Sequence, residues 1–398
     1  MAEHIISLSA ATQNRPLADS TERLLVEMGA KVILGEQIQP KGVVIPIVPS
    51  AHTLFGPRGA SAMADGSLWV ADTGHHRLLG WAGLPTADGQ AATWIIGQPD
   101  FARDGGRNAH GSVDGASLNV PTGICPIGPG MAVADVWNHR VLIWFKSPRA
   151  SHTPADIVLG QKDFASVEIN RGADLPDDST LYWPYGVFWD GQRLYVSDSG
   201  NRRVLWWEGL PKSNGQVADG VLGQTDFVCR DENAGHDLDA MSMRWPHAVT
   251  CFRDWLVMGD AGNNRVLLWR GVPRYSGQPA DVILGQKDAF HDAHNQGSYF
   301  PDARCFNMPY GVTATADWLI VADTANSRLL GWREEDLSTG APAQALAGQN
   351  GFQHKGDNRW GVVGRNTLCW PFGLATAGNT LVIADSGNNR VLLWERQL

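Results

Sequence analysis

The sequence predicts an all-β protein, a six-bladed β-propeller of four-stranded blades. Three observations carry that expectation. An aspartate recurs at positions 72, 135, 198, 260, 323 and 385, at intervals of 63, 63, 62, 63 and 62 residues. An arginine follows each of them five residues later and a tryptophan four residues after that, running from Arg77 and Trp81 to Arg390 and Trp394. Each period also holds four short runs rich in β-branched and aromatic residues, set apart by Gly, Asn, Asp and Pro. Four short strands repeated about an axis make a propeller blade.

Within one period the first strand opens at a proline, as in PYGVFW (184–189) and PYGVTA (309–314). The second is RLYVSD (193–198), the third RRVLWW (202–207), and the fourth DGVLGQ (219–224) or DVILGQ (281–286). A four-residue turn, TGHH or SGNN, joins the second to the third, and its Gly and Asn are expected to take left-handed backbone. The aspartate at the turn is expected to accept turn N–H groups and to pair with an arginine of its own or the next blade. The tryptophans are expected to pack blade against blade. A buried indole removes roughly 150–250 Å² from water, worth up to about 4–6 kcal/mol at ~25 cal/mol/Å².

The sixth copy ends at RVLLWERQL and lacks its fourth strand. The segment KVILGEQ (31–37) matches DVILGQK, and Gly35 precedes Gly97 by the same 62 residues. The N-terminal strand should therefore complete the last blade, closing the ring and removing its open edges. On this reading residues 31–398 are a single propeller domain and residues 1–30 an N-terminal extension. STERLLVEMG (20–29) in that extension reads as a short helix capped by Ser20 and stopped by Gly29.

The chain has 398 residues and a formal net charge of −9, with seven lysines and no basic run. That balance argues against nucleic acid as a partner. A phosphate-binding face would need Arg103, Arg107, Arg230, Arg244, Arg359 and Arg365 to gather, with acidic neighbours opposing them. No secretory signal is read at the N-terminus, and no run of about 18 apolar residues suggests a membrane span. The five cysteines (125, 229, 251, 305 and 369) are scattered, with no CxxC. Reduced thiols in a cytoplasmic protein are expected.

The pattern P-x-G-V, then L-x-V-A-D-x-x-N-x-R-V-L, then V-L-G-Q-x-D-F resembles the NHL-repeat family over nearly everything from residue 31 onward. His139 and the asparagines at 138, 201, 263, 326 and 388 match that family's turn, and His75 stands where the other five copies have Asn. The resemblance implies a propeller serving as a protein- or RNA-binding platform or a sensor domain. One relative, the amidating lyase that cleaves peptidyl-hydroxyglycine, is a metal enzyme, so the resemblance also admits a metal-dependent lyase or hydrolase.

The second-to-third turns and the long connections between blades should share one face. Those connections, such as Gly97 to Pro121 and Gly160 to Pro184, run about two dozen residues, longer than ordinary loops. The residue after each opening proline should lie at the mouth of the central channel: Arg58, Thr122, Tyr185, His247, Tyr310 and Phe372. These differ between copies although the fold repeats. Arg58, Tyr185, His247, Tyr310 and Phe372, with His75, are therefore the candidate residues for a protein partner or small ligand, engaged without catalysis and without a required cofactor. The alternative is a metal site at the mouth formed by His75, His139 and His247 converging from separate blades. Acidic loop residues, Asp174, Asp177 and Asp178 or Asp231, Asp237 and Asp239, are a further cation option, but none has EF-hand spacing.

Overall fold

A computed structural model describes residues 21–35 and 48–397. It contains six antiparallel blades. Blade three shows the pattern: Pro184–Trp189, Arg193–Asp198, Arg203–Glu208 and Gly220–Leu222 pair in succession from the axis outward. The first strands of neighbouring blades pack side by side around the axis. In blades two to six the opening proline pairs with the turn aspartate of its own blade, as Pro184 does with Asp198, which puts turns and long connections on one face.

The ring closes as the repeat requires. Val32–Leu34 pairs antiparallel with Val391–Leu393 and becomes the outer strand of the blade that also holds Thr380–Asp385 and Pro371–Ala377. The part of KVILGEQ beyond residue 35 lies outside the described residues. The segment before it is not a helix. Glu22–Arg23 runs parallel to Ala345–Leu346 as a fifth strand on blade five, and Leu25 bridges Arg396. The open edge of blade five accepts the amides of Glu22 and Leu24, and Leu24, Leu25 and Ala30 fill the seam between blades five and six. Pairing with a waiting strand edge outweighs a helical propensity that a short isolated segment cannot use. Ser20 lies outside the described residues.

The core is six seams, each drawn from two adjacent blades. Every repeated tryptophan is buried in the seam with the preceding blade, Trp207 with blade two and Trp269 with blade three for example. Its indole N–H donates to a backbone carbonyl at 2.8–3.2 Å. In five blades that carbonyl lies nine residues on; Trp394 uses Val26 across the closure. These indoles are thus satisfied as well as buried.

Each arginine pairs with the aspartate of its own blade, Nε to Oδ2 at 2.6–3.0 Å, with both side chains fully buried. The second carboxylate oxygen accepts a backbone amide from the incoming connection, such as Tyr182 on Asp198 at 2.6 Å. The remaining guanidinium N–H groups reach carbonyls on both flanking connections, as Arg140 does with Ser117 and Phe164. A buried charge pair with its other donors and acceptors met is a structural bolt.

The turn is a single 3-10 turn, and its left-handed residue is the fourth one: His76, His139, Arg202, Asn264, Ser327 and Asn389, with φ between 51° and 55°. The turn glycine is required for space instead. A Cβ on Gly200 would lie 2.5 Å from Tyr182. All five cysteines are free thiols. Among the described residues no helix is long and apolar enough to cross a membrane.

Candidate binding site at the channel mouth

The first strands converge so tightly that side chains are excluded where they meet. A Cβ on Gly186 would come within 1.9 Å of the His247 carbonyl oxygen, and one on Gly311 within 2.0 Å of that of Phe372. The residue after each opening proline is thereby forced together with its counterparts. Arg58, Thr122, Tyr185, His247, Tyr310 and Phe372 all line one axial cavity of about 340 Å³.

Four of them form a continuous row of touching rings around the mouth, two pairs tilted and one stacked. Ring centroids are 4.5 Å apart for Tyr185 and His247, 4.3 Å for His247 and Tyr310, and 4.5 Å for Tyr310 and Phe372, the last pair nearly parallel at 8°. The Arg58 guanidinium lies 4.8 Å from the Phe372 centroid and extends the arc by a cation–π contact. Thr122 fills the remaining position, its hydroxyl donating to the Tyr185 carbonyl at 2.7 Å. Deeper in the cavity the walls are apolar or weakly polar, among them Cys125, Trp189, Thr250, Cys251 and Leu374.

His247 is buried, and Nδ1 lies 3.1 Å from the Trp245 carbonyl. A carbonyl only accepts, so Nδ1 carries the proton and Nε2 keeps a lone pair. Loss of solvation pushes the imidazole pKa down to about 3, helped by Arg58, so the ring is neutral. Burial raises the Tyr310 phenol, with Arg58 pulling the other way. Burial also pushes the Cys125 and Cys251 thiols up to about 12, which makes them poor nucleophiles.

The other candidate histidines sit elsewhere. His75 is fully buried and donates from Nδ1 to Asp72 at 2.9 Å, filling the role that Asn138, Asn201, Asn263, Asn326 and Asn388 fill in the other turns. It does not line the cavity. His139 lies in the turn of blade two, where Nδ1 accepts the Trp183 amide at 3.3 Å. His75, His139 and His247 therefore do not form the metal site considered from sequence: among the described residues no group of three or more His, Cys, Asp or Glu is placed to hold a metal ion. The histidines are drawn to separate turn and mouth positions because each satisfies a different local hydrogen bond. Asp177 and Asp239 cap their own loops through Ser179 and Ser242. Of the candidate arginines, Arg103, Arg244 and Arg365 face Asp100, Glu232 and Asp88, and Arg107 bonds Asn138.

Two features of this face were not anticipated from sequence. The residue before the opening proline carries a large exposed side chain in several blades: Trp183, Trp245 and Trp370 are 36, 43 and 44% exposed. Trp245 also meets His247 edge-on at 6.4 Å, joining rim to mouth. The fourth turn residue clasps the next blade: His76, His139, Asn264, Ser327 and Asn389 each accept the backbone amide of the residue immediately before the next blade's opening proline, at 2.8–3.3 Å. The recurrence of acceptor side chains at that position was the available signal. The connections are likewise pinned, since Gln98, Gln161, Gln224, Gln286 and Gln349 each donate to the carbonyl seven residues on.

No protein-family model matches the chain, and the search of curated proteins gives no match. Among solved structures it is similar to Kuenenia stuttgartiensis hydrazine synthase, with 11% identity, a TM-score of 0.51, and 90% of this chain and 99% of that one covered. It is also similar to a protein of unknown function from Bacteroides thetaiotaomicron, with 10% identity, a TM-score of 0.50, and coverage of 93% and 75%. Identities this low speak to fold alone. Taken with the strand pairing, the chain is a closed six-bladed β-propeller.

Proposed function

We propose that this chain is a non-catalytic, cytoplasmic binding propeller of NHL type that engages a protein side chain or a small ligand at the channel mouth on the capped face. The observation that supports this most is the stacked arc Arg58–Phe372–Tyr310–His247–Tyr185 over an axial cavity. A scaffold alone does not need it: the same blade position repeats six times, yet its residues differ, while the structural Asp, Arg and Trp do not. Flat, partly exposed aromatic faces beside one cation are what a binding mouth requires. The buried, neutral imidazole and high-pKa thiols offer packing and hydrogen bonding rather than acid–base or nucleophilic chemistry.

The test is a thermal-shift screen of small aromatic and aliphatic compounds against wild type and a Tyr185→Leu/Tyr310→Leu variant, which keeps apolar volume but removes the stacked rings. Ligands that raise the wild-type melting temperature should lose that effect in the variant. Hits that bind both proteins equally would place the binding site elsewhere.

A further inference from the structure

The ligand class of this mouth follows from its charge inventory, and the inference rests on the binding reading above. Arg58 is the one charged side chain among the described residues that line the cavity; no aspartate, glutamate or lysine joins it. No acidic side chain lines the cavity with it, and the neighbour of its guanidinium is the face of Phe372. A partly buried cation left with only an aromatic face still has most of its donors available for an anion.

His247 does not add a second positive charge, because its one proton is committed to the Trp245 carbonyl. Of the two tyrosines at the mouth, Tyr310 turns its hydroxyl to the Met308 sulfur at 3.5 Å, and Tyr185 adds a neutral hydroxyl to the cavity lining. One charge of compensation suits one negative charge. A dianion such as phosphate would leave its second charge without a counter-charge among uncharged walls, which is costly. Beneath the mouth the uncharged lining is mixed: Phe188, Trp189, Val249 and Leu374 give apolar, partly aromatic surface, and Ser61, Thr250, Thr313 and Thr376 add hydroxyls. A volume of about 340 Å³ is at the small end for ligand pockets, which run roughly 300–1,000 Å³.

We propose that the channel mouth binds a small monocarboxylic acid with a flat apolar body, its carboxylate on Arg58 and its body against the aromatic and aliphatic walls of the axial cavity. The guanidinium fork matches a carboxylate with two parallel N–H···O bonds, so Arg58 orients the ligand as well as holding it.

Isothermal titration calorimetry with 2-naphthoate, the neutral 2-naphthamide and inorganic phosphate tests this. Wild type should bind 2-naphthoate at least about tenfold more tightly than 2-naphthamide, and phosphate should not displace it. Arg58→Gln should remove that preference, Arg58→Lys should restore part of it, and neither should change the melting temperature of the free protein. Equal binding of naphthoate and naphthamide to wild type would overturn the carboxylate assignment while leaving the mouth as a binding site. Displacement by phosphate would overturn it in favour of an oxyanion site. Binding of neither aromatic compound at millimolar concentration would overturn both the assignment and the mouth itself.

Discussion

Replacing His139 by asparagine should make the protein more resistant to acid, by an amount the structure sets. His139 is buried in the turn of blade two, and its Nδ1 accepts the amide of Trp183 from blade three. Burial, with Arg107 adding to it, lowers its pKa to about 4. In the unfolded chain the value is about 6.5. The unfolded state therefore takes up a proton as pH falls through 6.5, while the folded state refuses it until near 4. Stability is intact above pH 6.5 and drains away as pH drops toward 4. At pH 4.5 the linkage relation gives a loss on the order of 2–3 kcal/mol relative to pH 7.5 from this one side chain. Asparagine does not titrate, and it already performs the same task in two other blades: Asn264 accepts the Met308 amide at 2.9 Å, and Asn389 that of Gly56 at 2.8 Å. Urea denaturation followed by tryptophan fluorescence at pH 7.5 and pH 4.5 measures the effect. The wild type should lose roughly 2–3 kcal/mol more than His139→Asn over that interval, and His247, present in both proteins, cancels. Parallel losses in the two proteins would refute the clasp and the buried neutral imidazole together.

Further outcomes follow from packing. Gly186→Ala, whose Cβ would meet the His247 carbonyl, should cost about 1–3 kcal/mol in urea denaturation, whereas Ala248→Gly at the equivalent place in blade four should cost less than about 1 kcal/mol. Arg265→Met should cost about 3–5 kcal/mol, because it strands the fully buried Asp260 carboxylate without its partner. Leu34→Ala, in the strand that closes the ring, should lower stability by about 2–5 kcal/mol, a cost that a free N-terminal tail would not show.

Much of the fold was legible because it is written six times. Strict spacing of Asp, Arg and Trp gave the blade count, and the missing fourth strand after Trp394 pointed to KVILGEQ (31–37) as its replacement. Periodicity could not place residues outside the repeat. The segment around Leu24 looked helical alone and became a strand because blade five offers an edge. The mouth was legible in position but not in arrangement. Being next to a proline predicted that Arg58, Tyr185, His247, Tyr310 and Phe372 approach the axis. That four of their rings stack in sequence depends on strand separations that only the glycines at 59, 123, 186, 311 and 373 allow. His75 was misplaced as a candidate because a histidine in an asparagine column looked exceptional. In the structure it makes the same aspartate contact as the asparagines.

We propose that the axial mouth, rather than the exposed rim or the sides of the blades, is where this propeller binds. The most direct measurement is a crystal structure of the protein soaked with 2-naphthoate. A molecule is expected on the axis, with its carboxylate on Arg58 and its rings inside the cavity. A molecule seated instead on the rim tryptophans, with the cavity holding none, would contradict it.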